Sequence, residues 1–342
     1  MKKNSVFIIA ILSSILLCSC SNSSKQISVF IYTKDDTFIQ GWSTYLDEVF
    51  ENSNINLKKY YANRSQSLQN EQITTEIETS KNDVIIVNSV DRLADSAIIE
   101  KAKRYNTPVI FFNREPLDTD LPTVGNYYYV GSNPKTEAFL QAQMIEELFG
   151  NPKELNSLYD KNGDGIIQFV MLKGEQGHQD MENRSKYSIE ALKNKGYELD
   201  LLTSSYCDWK RDLAKETFST IYQEFGDQIE LIISNNDDMA LGAIDYLLEK
   251  NIFSTNVTSV SEQPIQIIGV DGTSVSKKAI KEHLMYGTVK NDSKKQAETI
   301  LELSNKIINN EAIDESSFVV GHKIYVEGKE ITLKNVDEFI ED

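Results

Sequence analysis

Apolar residues come along this chain in short dense blocks. The segments "ISVFIY" (27–32), "INLKKYYA" (55–62), "DVIIVN" (83–88), "PVIFFN" (108–113) and "YYYVGS" (127–132) read as strands. Most are β-branched or aromatic, with apolar side chains on both faces, as in buried parallel strands. Between them lie stretches of helical period: about Phe38 to Phe50, the segment around "SLQNEQITTEI", and "RLADSAIIEKAKRYN". The rhythm then repeats. The helical "KTEAFLQAQMIEELFG" precedes "IIQFVMLKG", a helix from about Asp180, "ELDLLTSS", a helix near 210–225, "IELIISNN", "DMALGAIDYLLEK" and "IQIIGVDG". Strands alternating with helices of about 10–15 residues predict βαβ units. Two halves of like length predict two doubly wound α/β lobes, with ligand sites at the carboxyl ends of strands and a cleft between the lobes.

The first twenty residues break the pattern. Lys2 and Lys3 precede "VFIIAILSSILL" and then "CSCSNSS", the basic start, apolar core and small-residue end of a secretory signal. The "LCSC" ending resembles a bacterial lipobox. That resemblance implies cleavage after residue 19, a lipid on Cys20, and a flexible tether over 20–26. No later apolar run is long enough to span a bilayer.

Removing residues 1–19 takes two lysines from the 35 basic residues and none of the 52 acids, leaving a net charge of −19. Such a surface repels phosphate and argues against nucleic acid as a partner. Beyond Cys20 the only cysteine is Cys207, so neither a disulfide framework nor a Cys-x-x-Cys site is available.

Polar residues gather where the predicted strands end: Asp36 and then Phe38, Asn113 with Arg114, His178, Asp180 and Arg184, Asn236, Asp271, and Asn291. Carboxylates, carboxamides, an imidazole and a guanidinium offer donors and acceptors together, which suits a ligand covered in hydroxyls. Aromatic faces such as Phe38 and Trp209 can cover the C–H faces of a sugar ring. Asp36, Asn236 and Asp271 are equally placed to cap helices or form turns. Asp36, Asp180 and Asp271 also raise the possibility of a glycoside hydrolase, but no motif fixes two of them as a catalytic pair.

One stretch carries a different chemistry. In "DKNGDGIIQFVM", Asp160, Asn162, Asp164, Gly165 and Gln168 follow the spacing of an EF-hand loop, with Ile166 at the position that contributes a backbone carbonyl. The closing Glu is missing, since Met171 occupies its place, and a strand follows instead of a helix.

In order along the chain, "FIYTKDDTF", "PVIFFNREP", "YYVGS", "DKNGDGIIQFVMLKGEQGH", "IELIISNNDDMALGA", "GVDG" and "GTVKND" closely resemble the D-galactose/D-glucose-binding proteins of bacterial ABC sugar importers, within the periplasmic binding protein superfamily. The resemblance covers roughly Ile27 to Phe339. It implies a type I periplasmic binding fold with a hinge of three crossovers, a first lobe at 27–130 plus 292–327 and a second at 131–291 plus 328–342. It assigns Asp36, Asn113, His178, Asp180, Arg184, Asn236, Asp271 and Asn291 to sugar hydroxyls, with Phe38 and Trp209 enclosing the ring. It implies a structural calcium ion, completed by Glu230. It implies a monomer that closes on galactose or glucose and is then read by an importer's membrane subunits, or by a chemoreceptor or sensor. The chain departs from the family pattern at Arg114, where Lys is usual, at Gln176 and Gln179, where prolines are usual, and at Lys290, where an apolar residue is usual. A pentose is the rival ligand. A DNA-binding regulator of the same fold would need a basic headpiece that this chain lacks.

Overall fold

The computed structural model describes residues 25–80, 82–313 and 321–339. The leader, Cys20 and most of the expected tether therefore lie outside the described residues.

The first lobe is built from β1 (Lys25–Ile31), α1 (Thr37–Phe50), β2 (Ile55–Tyr61), α2 (Gln66–Thr79), β3 (Val84–Val87), α3 (Asp95–Tyr105), β4 (Val109–Phe112) and β5 (Tyr127–Ser132). The chain then crosses into the second lobe. There it forms α4 (Pro134–Phe149), a small hairpin of β6 (Gly150–Asn151) and β7 (Glu154–Leu155), β8 (Ile166–Lys173), α5 (Gln179–Asn194), β9 (Glu198–Tyr206), α6 (Arg211–Phe225), β10 (Leu231–Ser234), α7 (Asp237–Glu249), β11 (Gln266–Asp271), α8 (Ser274–Lys281) and β12 (Gly287–Lys290). It returns to the first lobe for α9 (Ser293–Asn309) and β13 (Lys323–Val326), then enters the second again for β14 (Lys329–Thr332).

The two six-stranded sheets run β13-β5-β4-β3-β1-β2 and β14-β12-β11-β10-β8-β9. All their pairings are parallel except that of β14 with β12. Each sheet thus winds outward in both directions from one strand, β1 or β8. That leaves a switch point beside each, where the connections part and a crevice opens at the strands' carboxyl ends. The two crevices face each other across the lobes, and the chain passes between the lobes three times beside them.

Burial follows from the topology. Every residue of β3, β4 and β10 is buried, because helices cover both faces of each sheet. One face of the first sheet packs Ile27, Val29 and Ile31 against Trp42 and Leu46 of α1 and Ile300 and Leu303 of α9. One face of the second packs Phe169, Met171, Leu231 and Ile268 against Met144, Ile145 and Leu148 of α4. Met171, the residue that spoils the EF-hand pattern, is thus a core strand residue. Cys207 is buried and unpaired.

Candidate functional site

Three helices begin at the cleft, and each is capped by a residue expected to touch ligand. Asp36 Oδ1 accepts the Ile39 amide of α1 at 2.9 Å, His178 Nδ1 accepts the Asp180 amide of α5 at 3.2 Å, and Asn236 Oδ1 accepts the Met239 amide of α7 at 3.0 Å. The capping and binding alternatives therefore coexist. Each side chain spends one acceptor on its own helix and turns a different atom to the cleft wall. For His178 the remaining ring nitrogen is Nε2. Because Nδ1 accepts, the proton belongs on Nε2. Burial, reinforced by Arg114, Arg184 and Arg92, holds this imidazole pKa well below its ordinary value, so the ring is a neutral donor at physiological pH.

Behind the caps lies a buried ionic cluster. The Arg184 guanidinium donates through Nε to Glu137 at 2.7 Å, through one terminal nitrogen to the Asn235 carbonyl at 2.8 Å, and through the other to Asp180 at 3.5 Å. Arg184, Asp180 and Glu137 are all buried. Asp180 is pushed up to about 7: desolvation raises it, Arg184 pulls it down, and Glu137 and Glu115 push it up again. Asp271, at the end of β11 with φ of 125°, is likewise raised well above its ordinary value, by burial first, against the pull of Arg184. Arg184 thus serves three carboxylates, with Arg114 adding a weaker pull on Asp180. Hydroxyls donating to Asp180 and Asp271 would supply what Arg184 does not.

The aromatic walls come from both lobes. Phe38 stands half-buried in the first turn of α1. Trp209, in the left-handed region at φ of 64°, is 8% exposed and meets the edge of His178 at a centroid distance of 5.0 Å. A Cβ on Gly174 would lie 2.2 Å from the Trp209 ring, so only glycine at the end of β8 lets the indole lie there. Asn113 also occupies the left-handed region, at φ of 59°, and accepts from Asn88 at 3.1 Å. Asn291 accepts from Gln296 at 2.7 Å.

All ten residues expected around a sugar line one cavity between the lobes, and Tyr32, Ile39 and Arg114 join them. Tyr32 donates to Asp36 at 2.5 Å and stacks under the Arg114 guanidinium at 4.0 Å. Arg114 reaches across the cleft to Glu175 at 2.7 Å, tying one lobe to the other. Tyr32, Glu137 and Glu175 were not singled out from sequence. Tyr32 had a signal, since it directly follows a strand that leads to Asp36. Glu137 had none, being one acid among several on an amphipathic helix.

Residues 27–312 match the model of the periplasmic binding protein domain. The chain belongs to the periplasmic binding protein family. Among the curated relatives of this binding protein, the D-galactose/methyl-galactoside binding periplasmic protein MglB of Haemophilus influenzae is 34% identical over 323 residues, covering 93% of this chain and 92% of the relative. A xylitol-binding protein of Mycolicibacterium smegmatis is 26% identical, covering 94% and 81%. Among solved structures, a solute-binding protein of Bacillus halodurans with bound myo-inositol superposes with a TM-score of 0.77 at 22% identity, covering 93% of this chain and 98% of its own. One from Actinobacillus succinogenes with bound D-allose gives 0.76 at 19%, covering 92% and 99%. The type I periplasmic binding fold is thereby established. The protein is a solute-binding protein and not an enzyme. No described helix is long and apolar enough to cross a membrane.

In this binding protein the EF-hand-like loop is a chain of Asx turns. Asp160 accepts the amides of Gly163 and Gly165 at 2.9 and 3.1 Å, Asn162 that of Asp164, and Asp164 that of Ile166. Gly163 and Gly165 take positive φ, as the tight turn demands. The buried Glu230 carboxylate comes from the segment entering β10 and faces the loop, accepting the Lys161 and Gln168 amides at 2.7 and 3.2 Å. Among the described residues no group of three or more His, Cys, Asp or Glu is placed to hold a metal. The Asn162 and Gln168 side chains, which turn their NH₂ groups to Asp164 at 2.9 and 2.8 Å, carry an oxygen as well. The donor set of three carboxylates, two carboxamides and the Ile166 carbonyl consists of oxygen, which is what a hard cation requires.

Proposed function

We propose that this protein binds a free hexose, D-galactose or D-glucose, between its lobes and presents the closed form to the membrane subunits of an ABC importer. The observation that carries the reading is the convergence of ten polar and aromatic side chains from both lobes on one cavity. It is supported by the 34% identity to a galactose-binding relative over nearly the whole chain. In this reading Phe38 and Trp209 enclose the ring, Asp36 and Asn113 hold it from the first lobe, and the His178–Asp180–Arg184 group, Asn236, Asp271 and Asn291 hold it from the second. Calorimetry on the mature domain tests it. Galactose or glucose should bind with micromolar affinity or better. No heat with either, but clear binding of a pentose or of xylitol, which a more distant relative binds, would transfer the assignment to that ligand.

The same reading includes a calcium ion held by Asp160, Asn162, Asp164, the Ile166 carbonyl, Gln168 and Glu230, pinning the loop before β8 to the start of β10. It also includes a lipid on Cys20 that anchors the protein to the outer face of the cytoplasmic membrane. The closed form suits recognition by a chemoreceptor or sensor as well, and the protein acts as a monomer.

A further inference from the structure

Asp237 is fully buried, yet it does not line the sugar cavity. It follows Asn236 directly and opens α7. Its carboxylate accepts from three neutral donors. The Thr273 amide at 2.9 Å and the Ser276 hydroxyl at 2.5 Å meet one oxygen, and the Thr288 hydroxyl at 2.6 Å meets the other. Burial raises its pKa to about 6 against the pull of these hydrogen bonds, so it is an ionised acceptor at physiological pH. A Cβ on Gly269 of β11 would lie 2.3 Å from this carboxylate, so the strand itself makes room for it. Burying a charge is costly, and the neutral hydroxyls and amides around it could have closed a turn by themselves.

The turn that these bonds hold is the one after β11. Asp271 stands there at φ of 125°, a conformation that a residue with a side chain rarely adopts. Three consecutive residues are tied down. The Asp271 carbonyl accepts the Asn291 amide at 3.1 Å, the Gly272 amide donates to the Thr288 hydroxyl at 3.3 Å, and the Thr273 amide donates to Asp237. Thr288 is a relay, accepting from Gly272 and donating to Asp237. Three elements that carry cavity residues thus meet on one carboxylate: α7 beside Asn236, the turn with Asp271, and β12, which ends next to Asn291. A carboxamide in its place would turn an NH₂ toward one of these donors.

We propose that Asp237 is a positioning residue for sugar binding: it locks α7, the turn after β11 and β12 together, so that Asn236, Asp271 and Asn291 meet one ring at fixed spacing. This rests on the sugar reading above and deepens it, by naming what sets that side of the site.

Calorimetry on the mature domain should begin with D-galactose, D-glucose and D-xylose and continue with monodeoxy derivatives of the sugar bound best. Asp271→Asn and Asp36→Asn identify the hydroxyl that each acid holds, as the one whose removal no longer lowers affinity. Asp237→Asn should weaken the parent sugar by about tenfold or more, the loss of one charge-assisted hydrogen bond. It should also shrink the penalty for deleting the Asp271 hydroxyl, while the penalty at the Asp36 hydroxyl stays as in the wild type. Thr288→Val keeps the size of the side chain and removes only the relay, so it should act in the same direction, and Thr288→Ser should restore binding. These two variants carry the test if Asp237→Asn does not fold. An affinity that neither Asp237→Asn nor Thr288→Val lowers would overturn the role. So would a loss spread evenly over every hydroxyl, which is what a merely loosened lobe would give. A wild type that binds none of the three sugars would overturn the sugar reading itself, and this role with it.

Discussion

Replacing Arg184 should cost far more than replacing Glu137, although the two form one ion pair. Their side chains are 3% and 1% exposed, and Asp180 beside them is 5% exposed. At an effective dielectric near 20, each carboxylate at about 3–4 Å attracts the guanidinium by roughly 4–5 kcal/mol before desolvation is subtracted. Arg184→Met leaves Glu137, Asp180 and Asp271 together with only the weaker pull of Arg114 on Asp180 to offset them. Breaking a buried pair from that side costs about 3–5 kcal/mol, or roughly 6–20 °C in Tm for a domain of this size. Glu137→Gln leaves Arg184 two carboxylates and a carboxamide acceptor. It exchanges a charge-assisted hydrogen bond for a neutral one, a difference of about 1 kcal/mol, and it relieves the repulsion that Glu137 exerts on Asp180 and Asp271. Differential scanning calorimetry on the mature domain, with circular dichroism to confirm folding, reads both variants. Equal losses of Tm would refute the argument that one arginine is shared by three acids, and would mean that Glu137–Arg184 behaves as an isolated bridge.

Other outcomes follow from the same geometry. Asp180→Ala should weaken hexose binding at least a hundredfold by calorimetry, since the carboxylate is both acceptor for the sugar and partner of Arg184; unchanged affinity would remove it from the site. Because Asp180 is raised to about 7, the folded protein holds that proton more tightly than the unfolded chain, so its ionisation erodes stability as pH climbs from about 4 to 7. Sugar hydroxyls favour the carboxylate, so binding at pH 6 should release protons and affinity should rise with pH through 7. Titrations in buffers of differing ionisation enthalpy would measure this, and proton uptake would contradict the sign. Chelation should lower the Tm of the wild type, and Glu230→Gln should reproduce the loss and remove its dependence on calcium. Trp209 lines the cavity while Trp42 packs on Phe112 in the first core; a sugar-induced change in tryptophan emission should vanish in Trp209→Phe and persist in Trp42→Phe.

The lobes were legible because parallel strands advertise themselves. "DVIIVN" and "IELIISNN" leave little alternative to buried strands, and the helices between them carry a clear period. The cleft residues were legible for a related reason: in doubly wound sheets function collects at strand ends, and Asn113 and Asp271 directly follow apolar runs while Asp36 and Asn236 come a few residues after them. What escaped was the layer that depends on distance in space. Glu137 meets Arg184 because α4 packs along α5, and Glu175 meets Arg114 only because the lobes stand face to face. No local pattern encodes either encounter. Capping and binding looked like alternatives in one dimension, whereas in three a cap leaves a side chain with atoms to spare.

The last two strands carry a consequence for how the molecule is made. β13 completes the sheet that β1 began, with Lys323 paired beside Tyr129, and β14 then closes the edge of the other sheet. Neither lobe is a contiguous piece of chain, so no single cut yields an intact half. A chain emerging in order from its N-terminus must hold its first sheet with an unfilled edge until nearly all of it has been synthesised. Such late, long-range closure makes slow folding and leaves an open strand edge exposed to other chains meanwhile. Removing the final twenty residues should therefore damage both lobes at once, by stripping β14 from the edge of one and the whole of β13 from the edge of the other.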